Sequence, residues 1–270
     1  MTATLSPGET FAAALTDSGT DLEVPLRVAL PATFPLAKTR PRYTVRHLLK
    51  TREVSGPAAY LREEHHGSDT SGTSYDSTPE ARFTTSLATA GITTVTASLS
   101  IPAELTAHPA MLATVIDHRL VVRLCTQEND ALLNGSYDGV LPGIRALPAL
   151  RRIEQPIGID RAAAETCALV EETGGSCDGI VTHPRVYWEL VRLGQLARLT
   201  EAGVRVSRTR MLAADEAIFA DFRAAFTLMD TMDSAIGLRR GTGGQYLLWA
   251  SVRLGLAVHL PQHVVIRTVK

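Results

Sequence analysis

Residues 128–144 read ENDALLNGSYDGVLPGI, and the fold is decided by how this stretch follows what precedes it. Leu112, Val115, Ile116, Leu120 and Leu124 recur at three- and four-residue spacings. That periodicity lays one apolar stripe along a long amphipathic helix, roughly Ala110 to Leu133. Asn134-Gly135 stops it, because both residue types tolerate the left-handed backbone of a helix C-cap.

Upstream of the helix, Val95, Ala97, Leu99 and Ile101 alternate with Thr94, Thr96, Ser98 and Ser100, the period-2 pattern of a half-buried strand. It reads as the return limb of a long excursion from Leu48 to Ile101. The tip of that excursion, Arg62 to Glu80, is rich in Gly, Ser, Thr, Asp, Glu and His. A polar stretch of this length inside a compact domain is either disordered or ordered by a neighbour, so a two-stranded arm projecting from the body is expected. Residues 1–44 are punctuated by Pro7, Pro25, Pro31, Pro35 and Pro41. Prolines at that density oppose a long helix or a central strand, and an extended arm is expected there, with a short helix at Thr10–Leu15.

Downstream, helices alternate with short strands. Asp160 is placed to cap a helix with Ala164, Cys167 and Ala168 on its buried side, ended by Gly174-Gly175. Gly179-Ile180-Val181 reads as a short strand. Pro184 after His183 opens a second helix, at the position where its missing N–H costs nothing, with Tyr187, Leu190 and Val191 as its core stripe. Val204 and Val206 begin another strand. From Tyr246 to Leu260 every second residue is apolar, which predicts one long strand bent near Gly255.

The bulk numbers set few limits. With 270 residues the chain can build a substantial core. A net charge of −1 lacks the basic excess of a general nucleic-acid binder. Only three lysines stand against twenty-four arginines, a bias expected of a GC-rich coding genome. Cys125, Cys167 and Cys177 have no C-x-x-C spacing and read as small buried hydrophobes rather than zinc ligands or redox groups. Met1 to Thr10 lacks a basic region followed by an apolar run, and nowhere do about 18 apolar residues stand together. A cytoplasmic location without membrane contact is therefore expected.

The search for chemistry returns nothing that outweighs a structural reading. Gly241-Thr242-Gly243-Gly244 lacks the following Lys-Ser/Thr of a phosphate loop and reads as a turn before the long strand. Glu63-Glu64-His65-His66 holds four metal-ligating types, but adjacent side chains diverge and no second cluster faces them. Neither G-x-S-x-G nor H-E-x-x-H occurs. Asp117, Arg119, Arg123, Glu128 and Asp130 are read as the polar face of the long helix, and His118 as a surface group between charged neighbours. No catalytic residue, cofactor site or metal site is expected.

The order of these elements resembles the major capsid proteins of tailed phages and the encapsulins, which share the Hong Kong 97-type fold. Local patterns carry the resemblance as well. Glu128–Gly135 followed by Gly139-Val-Leu-Pro142-Gly143-Ile144 is similar to the end of the family's spine helix and its continuation. Thr78-Pro79-Glu80 leading into Val95–Leu105 resembles the return limb of the extended loop. Ile180–Pro184, Phe219-Ala-Asp221-Phe222 and Arg253-x-Gly255-x-x-Val258-x-x-Pro261 resemble axial and closing β segments. The likeness runs from about Tyr43 to Val269.

What the resemblance implies is an α+β chain divided into an N-terminal arm (1–45), an extended loop (46–101), a peripheral spine helix (102–134) completed by C-terminal strands, and an axial domain with closing β segments (135–270). It implies self-association into an icosahedral nanocompartment enclosing a cargo enzyme against the spine helix and N-terminal arm. The extended-loop residues Arg62, Glu63, Glu64 and Glu80 are expected to contact neighbouring subunits. By analogy with the fold, Gly194, Gln195, Arg198 and Thr200 are expected in a short loop lining a five-fold opening.

The alternative is a tailed-phage or prophage head subunit, which would hold nucleic acid. Two departures favour the encapsulin. A long helical scaffolding segment does not precede the loop, and the Lys–Asn crosslink of the best-known phage head has no partners here. Lys50 stands only at the loop base, and Asn129 and Asn134, the only asparagines, lie on the helix. A rival of another class is a small α/β hydrolase or binding protein.

Overall fold

The computed structural model describes residues 5–18, 21–37, 45–65, 83–148 and 150–270. The first described element is a helix, longer than the short one expected at Thr10–Leu15. Ser6 Oγ accepts from the Glu9 N–H at 3.1 Å, and the Glu9 carboxylate accepts from the Ser6 N–H at 2.7 Å. This reciprocal capping box, with Pro7 in the first helical position, starts α1 (Pro7–Ser18). Phe11, Ala12 and Leu15 are its buried face. β1 (Leu22–Arg27) and the short α2 (Leu30–Thr33) follow. The expected extended arm is thus corrected: this stretch packs into the chain's own core. Pro7 and Pro25 occupy a helix start and an edge strand, two places where a missing N–H is tolerated.

The next strands are β2 (Lys50–Glu53), β3 (Ala58–His65), β4 (Phe83–Ala90) and β5 (Thr93–Pro102). β5 belongs to the larger sheet, with the long β10 (Phe226–Arg240) and β11 (Gln245–Val258). The order is β1-β10-β11-β5, with β2 beside β1 on the same flank of β10. The predicted alternation in β5 is present, since Val95, Ala97 and Ile101 are buried while Thr94, Thr96 and Ser98 are exposed. Its partner differs from the expectation: β5 pairs with β11 from Thr93 to Pro102, and the two-stranded arm is β3 with β4. β11 carries the predicted alternation as far as Leu254, is buried on both faces from there to Val258, and ends before Leu260. Opposite it, β10 shifts register between Asp230 and Ser234, with Met232 at φ +57°. At Gly255 a Cβ would lie 2.2 Å from the Gly91 carbonyl oxygen, so only glycine permits this crossing.

The spine is one continuous helical path of α3 (Pro109–Val115), a π turn at Ile116–Leu120, and α4 (Val121–Asn134). Leu112, Ile116, Leu120 and Leu124 are fully buried in the main core, where Val95, Leu248 and Val252 also lie. Gly135 ends the helix at φ +98°, ψ 157°, so the positive φ is as expected but the conformation is extended rather than left-handed helical. The following loop folds back on the helix end. A Cβ on Gly143 would lie 2.4 Å from the Gly135 nitrogen.

A second sheet, in the order β6-β12-β9-β7-β8, holds β6 (Arg151–Ile157), β7 (Gly179–Thr182), β8 (Arg205–Arg208), β9 (Glu216–Ala220) and β12 (Val264–Val269). α5 (Ile159–Glu171), α6 (Pro184–Arg192) and α7 (Gln195–Glu201) accompany it, and α8 (Phe222–Ala225) follows β9. Two faces differ from the sequence reading. α5 buries Ile159, Ala162, Ala163, Thr166 and Val170 and leaves Ala164 and Ala168 exposed; its N-cap is Gly158, with Asp160 in the first turn. α6 buries Val186, Tyr187 and Leu190, while Val191 is exposed. The alanine-rich α5 carries little amphipathic contrast, so there the sheet and not the sequence chooses the face.

Candidate assembly surfaces

The arm is built by register. β3 and β4 pair antiparallel from Ala58 opposite Ala90 to His65 opposite Phe83. Side chains alternate across the ribbon, so Leu61 and Leu87, which face each other in the pairing, share one side. They are 50% and 79% exposed. On the other side Tyr60 meets the His259 ring edge-on at 5.3 Å. A two-stranded ribbon has too little core to hold itself.

One polar feature ties the arm to the body, and another holds the segment that leads to it. The first is a clasp at His259, just past β11. The Glu63 N–H donates to the His259 carbonyl at 2.8 Å, and His259 Nδ1 lies 2.8 Å from the Leu61 carbonyl. A carbonyl only accepts, so Nδ1 carries the hydrogen, and Nε2 lies 2.9 Å from the Thr227 hydroxyl, within hydrogen-bond reach.

The second is a buried ion cluster. The Arg46 guanidinium donates to both oxygens of Glu128 on the spine helix, with the shortest contact at 2.7 Å, and to Asp230 on β10. All three side chains are buried. Burial works to lower the guanidinium's pKa, but the two carboxylates overcome this and hold it above its ordinary value. Next to it the Val45 N–H donates to Asn129 Oδ1 at 2.8 Å. Glu128 therefore does not decorate a polar face, as its helical spacing had suggested.

A third polar contact docks α1. Asp117, buried in the π turn, accepts from Ser6 Oγ at 2.6 Å and from the Gly8 N–H at 2.9 Å. A Cβ on Gly8 would lie 2.3 Å from the Ala113 carbonyl oxygen, so the two backbones touch. Asp117 too was read as surface. Beside this junction lies a groove of about 1120 Å³, lined among others by Ala13, Leu26, Val28, Phe34, Pro109 and Ala110.

Of the residues expected to touch neighbours, Arg62 and Glu63 lie on β3, both partly buried near the arm's root. Glu64 lies on β3 opposite Thr84, with its side chain outside the described residues, as is all of Glu80. The apolar pair Leu61–Leu87 was missed, although period-2 reading of 59–63 and 85–89 exposes it. Gly194, Gln195, Arg198 and Thr200 are brought together, but not as a loop. Gly194, at φ +68°, starts α7, and Thr200 Oγ1 donates back to the Leu196 carbonyl at 2.8 Å. Among the described residues no three His, Cys, Asp or Glu side chains gather as a metal site, and no helix is long and apolar enough to cross a membrane.

No family model and no curated protein matches the sequence. Solved structures do match. A virus-like particle from Pyrococcus furiosus superposes with a TM-score of 0.57 at 12% identity, covering 84% of this chain and 92% of that one. The capsid of a native GTA particle gives 0.55 at 14% identity over 84% and 89%. A Mycobacterium phage Cain structure gives 0.59 at 14% identity over 84% and 90%. The chain has the α+β, Hong Kong 97-type capsid fold.

Proposed function

We propose that this chain is the subunit of a self-assembling icosahedral shell, a nanocompartment of the encapsulin type, and not an enzyme. The observation that carries the reading is the β3–β4 arm, which presents Leu61 and Leu87 to solvent on a fold otherwise completed by two packed sheets. Such a ribbon gains stability by lying across an adjacent copy, and heterologous contacts of this kind close into a shell when the rotation permits. Arg62, Glu63, Glu64 and Glu80 then contact neighbours along the arm, and α7 with Gly194, Gln195, Arg198 and Thr200 borders the five-fold opening. The sequence division into extended loop, peripheral and axial parts is retained as the functional division, with α1, β1 and α2 joined to the body and β5 to the larger sheet.

The groove beside α1 supports the cargo half of the proposal. It is a cleft of mixed lining, with Glu9, Asp117 and His118 beside its apolar residues, at the place where the resemblance locates cargo. The second reading, a tailed-phage head subunit, is favoured by the likeness to phage structures.

Analytical ultracentrifugation of the protein expressed alone tests shell formation, with megadalton particles expected. Only species of tens of kilodaltons under every condition would reject the shell and favour the small-protein rival. The content of particles purified from the expressing cell separates the two shell readings. Protein cargo sedimenting with the particle supports the nanocompartment, whereas particles filled with nuclease-protected nucleic acid support the phage head.

A further inference from the structure

α5 and α6 lie side by side on one face of the second sheet, α5 over β12 and β9 and α6 over β7 and β8. Their far sides point to opposite ends of that sheet. On α6, Arg185, Trp188, Val191 and Arg192 stand at helical spacing on one exposed stripe. Trp188 is 59% exposed, yet its ring is held on two sides. The Arg208 guanidinium of β8 lies 5.1 Å from its centre, and the Tyr187 ring meets it edge-on at 5.7 Å. An exposed aromatic side chain fixed in this way has little rotamer freedom left to lose on binding, which is the property of an interface anchor. On α5, the Glu165 carboxylate reaches Arg267 of β12, and the Leu169 carbonyl accepts from Arg151 of β6, so this side of the helix faces the β6 end. Ala168 and Glu172 stand on the same side, three and seven residues after Glu165, and both are exposed.

The charges left over after internal pairing have opposite signs at the two ends. At the β8 end Arg192 pairs with Glu189 and Arg205 with Asp178, while the exposed Arg185, Arg198 and Arg210 have no ion partner among the described residues. At the β6 end Arg161 pairs with Glu165, while the exposed Glu154, Glu171 and Glu172 have none. Glu201 at the first end and Arg152 at the second reduce each excess without reversing it. We propose that the α6 stripe around Trp188 is one half of a head-to-tail contact, and that its occupant is the acidic β6–α5 end of a second copy of this chain. Trp188 seats against Ala168, where a small side chain leaves room for an indole, and the three arginines lie opposite the three glutamates. This contact rests on the shell reading: each copy offers one patch to the neighbour on either side, and such heterologous contacts continue from copy to copy until a ring closes. Complementary charges fix register and reject wrong docking more than they add affinity. The aromatic anchor therefore supplies the hold and the charges the direction.

The test uses the full chain expressed alone, with particles quantified by sedimentation and the fold of each variant checked by circular dichroism and melting temperature. One end is reversed as Arg185→Glu with Arg198→Glu, or the other as Glu171→Arg with Glu172→Arg. Either reversal sets like charges against each other and should lower the assembled fraction by about tenfold or more, with an unchanged fold. All four changes in one chain exchange the signs and should restore assembly. A second measurement leaves the charges intact: p-benzoylphenylalanine in place of Trp188 is irradiated in assembled particles. It should give a dimer band on a denaturing gel, crosslinked to the tryptic peptide 153–161 or 162–185 of the second copy. Particles that form equally well with either end reversed, or that stay lost when both are reversed, would overturn the contact and leave the shell reading standing. Crosslinks confined to peptide 53–62 of a neighbour's arm, or to a chain of another kind, would equally remove it. A wild-type chain that stays a single subunit would remove both.

Discussion

At the root of the arm a single guanidinium holds two buried carboxylates, and this is where one substitution should matter most. Arg46→Leu leaves Glu128 and Asp230 buried without their counter-charge. Breaking one side of a buried pair typically costs about 3–5 kcal/mol, and chemical denaturation should show a loss of that order. A loss of under about 1 kcal/mol, typical of surface pairs, would mean the cluster is solvated. Arg46→Lys should recover little, because one ammonium cannot reproduce the forked contact to Glu128 while reaching Asp230. His263 gives a pH signature. Burial lowers it from its ordinary 6.5, and its Nε2–H donates to the Thr173 carbonyl at 3.0 Å. The unfolded chain therefore takes up this proton before the folded one does. The stabilisation is complete above the unfolded value of about 6.5 and is lost as pH falls through that value toward the folded one. His263→Gln should flatten the pH dependence of the denaturation midpoint in that window; an unchanged slope would contradict the assignment. None of these roles was legible locally. Glu128 and Asp117 sit at ordinary polar spacings, and what buries them lies 82 and 111 residues away in sequence.

Among the elements, those with their own periodicity were legible and those defined by partners were not. The spine helix, its stop at Gly135, β7, α6 and the long β11 all follow from spacing and punctuation. β5 was recognised as a strand but assigned to the arm, because alternation states which face is buried and not which strand lies alongside. α1 was underestimated although Ser6-Pro7-Gly8-Glu9 spells a capping box, since the proline density outweighed a four-residue signal. The arm's attachment makes its own prediction. His259 ties the free side of β3 to the sheet through Glu63 and Leu61, and each such bond contributes about 0.5–1.5 kcal/mol. His259→Ala should raise amide exchange across 58–63 in the unassembled subunit by about tenfold, equivalent to 1.4 kcal/mol. Thr227→Val, which removes only the partner of Nε2, should raise it less. Equal exchange in wild type and His259→Ala would show that the His259 ring does not set the arm, since the variant keeps the carbonyl that accepts from Glu63.

At the scale of the whole molecule, composition alone described no more than an ordinary α/β protein, and the order of elements carried the resemblance that the structural comparisons bear out for the fold. The arm and the groove beside α1 are readable as surfaces because, among the described residues, Leu61 and Leu87 are exposed and the groove is open. What covers them in an assembly is a matter of shape between copies, which residue patterns within one chain do not encode. Shell size belongs to the same category, since it depends on small differences in the angle between subunits. The most direct test is a cryo-electron-microscopy reconstruction of the particles formed by the chain expressed alone. The expected map is a closed icosahedral shell in which every β3–β4 ribbon crosses onto an adjacent subunit and buries Leu61 and Leu87 there. Closed particles with the ribbon folded on its own subunit and both leucines still in solvent would contradict the account.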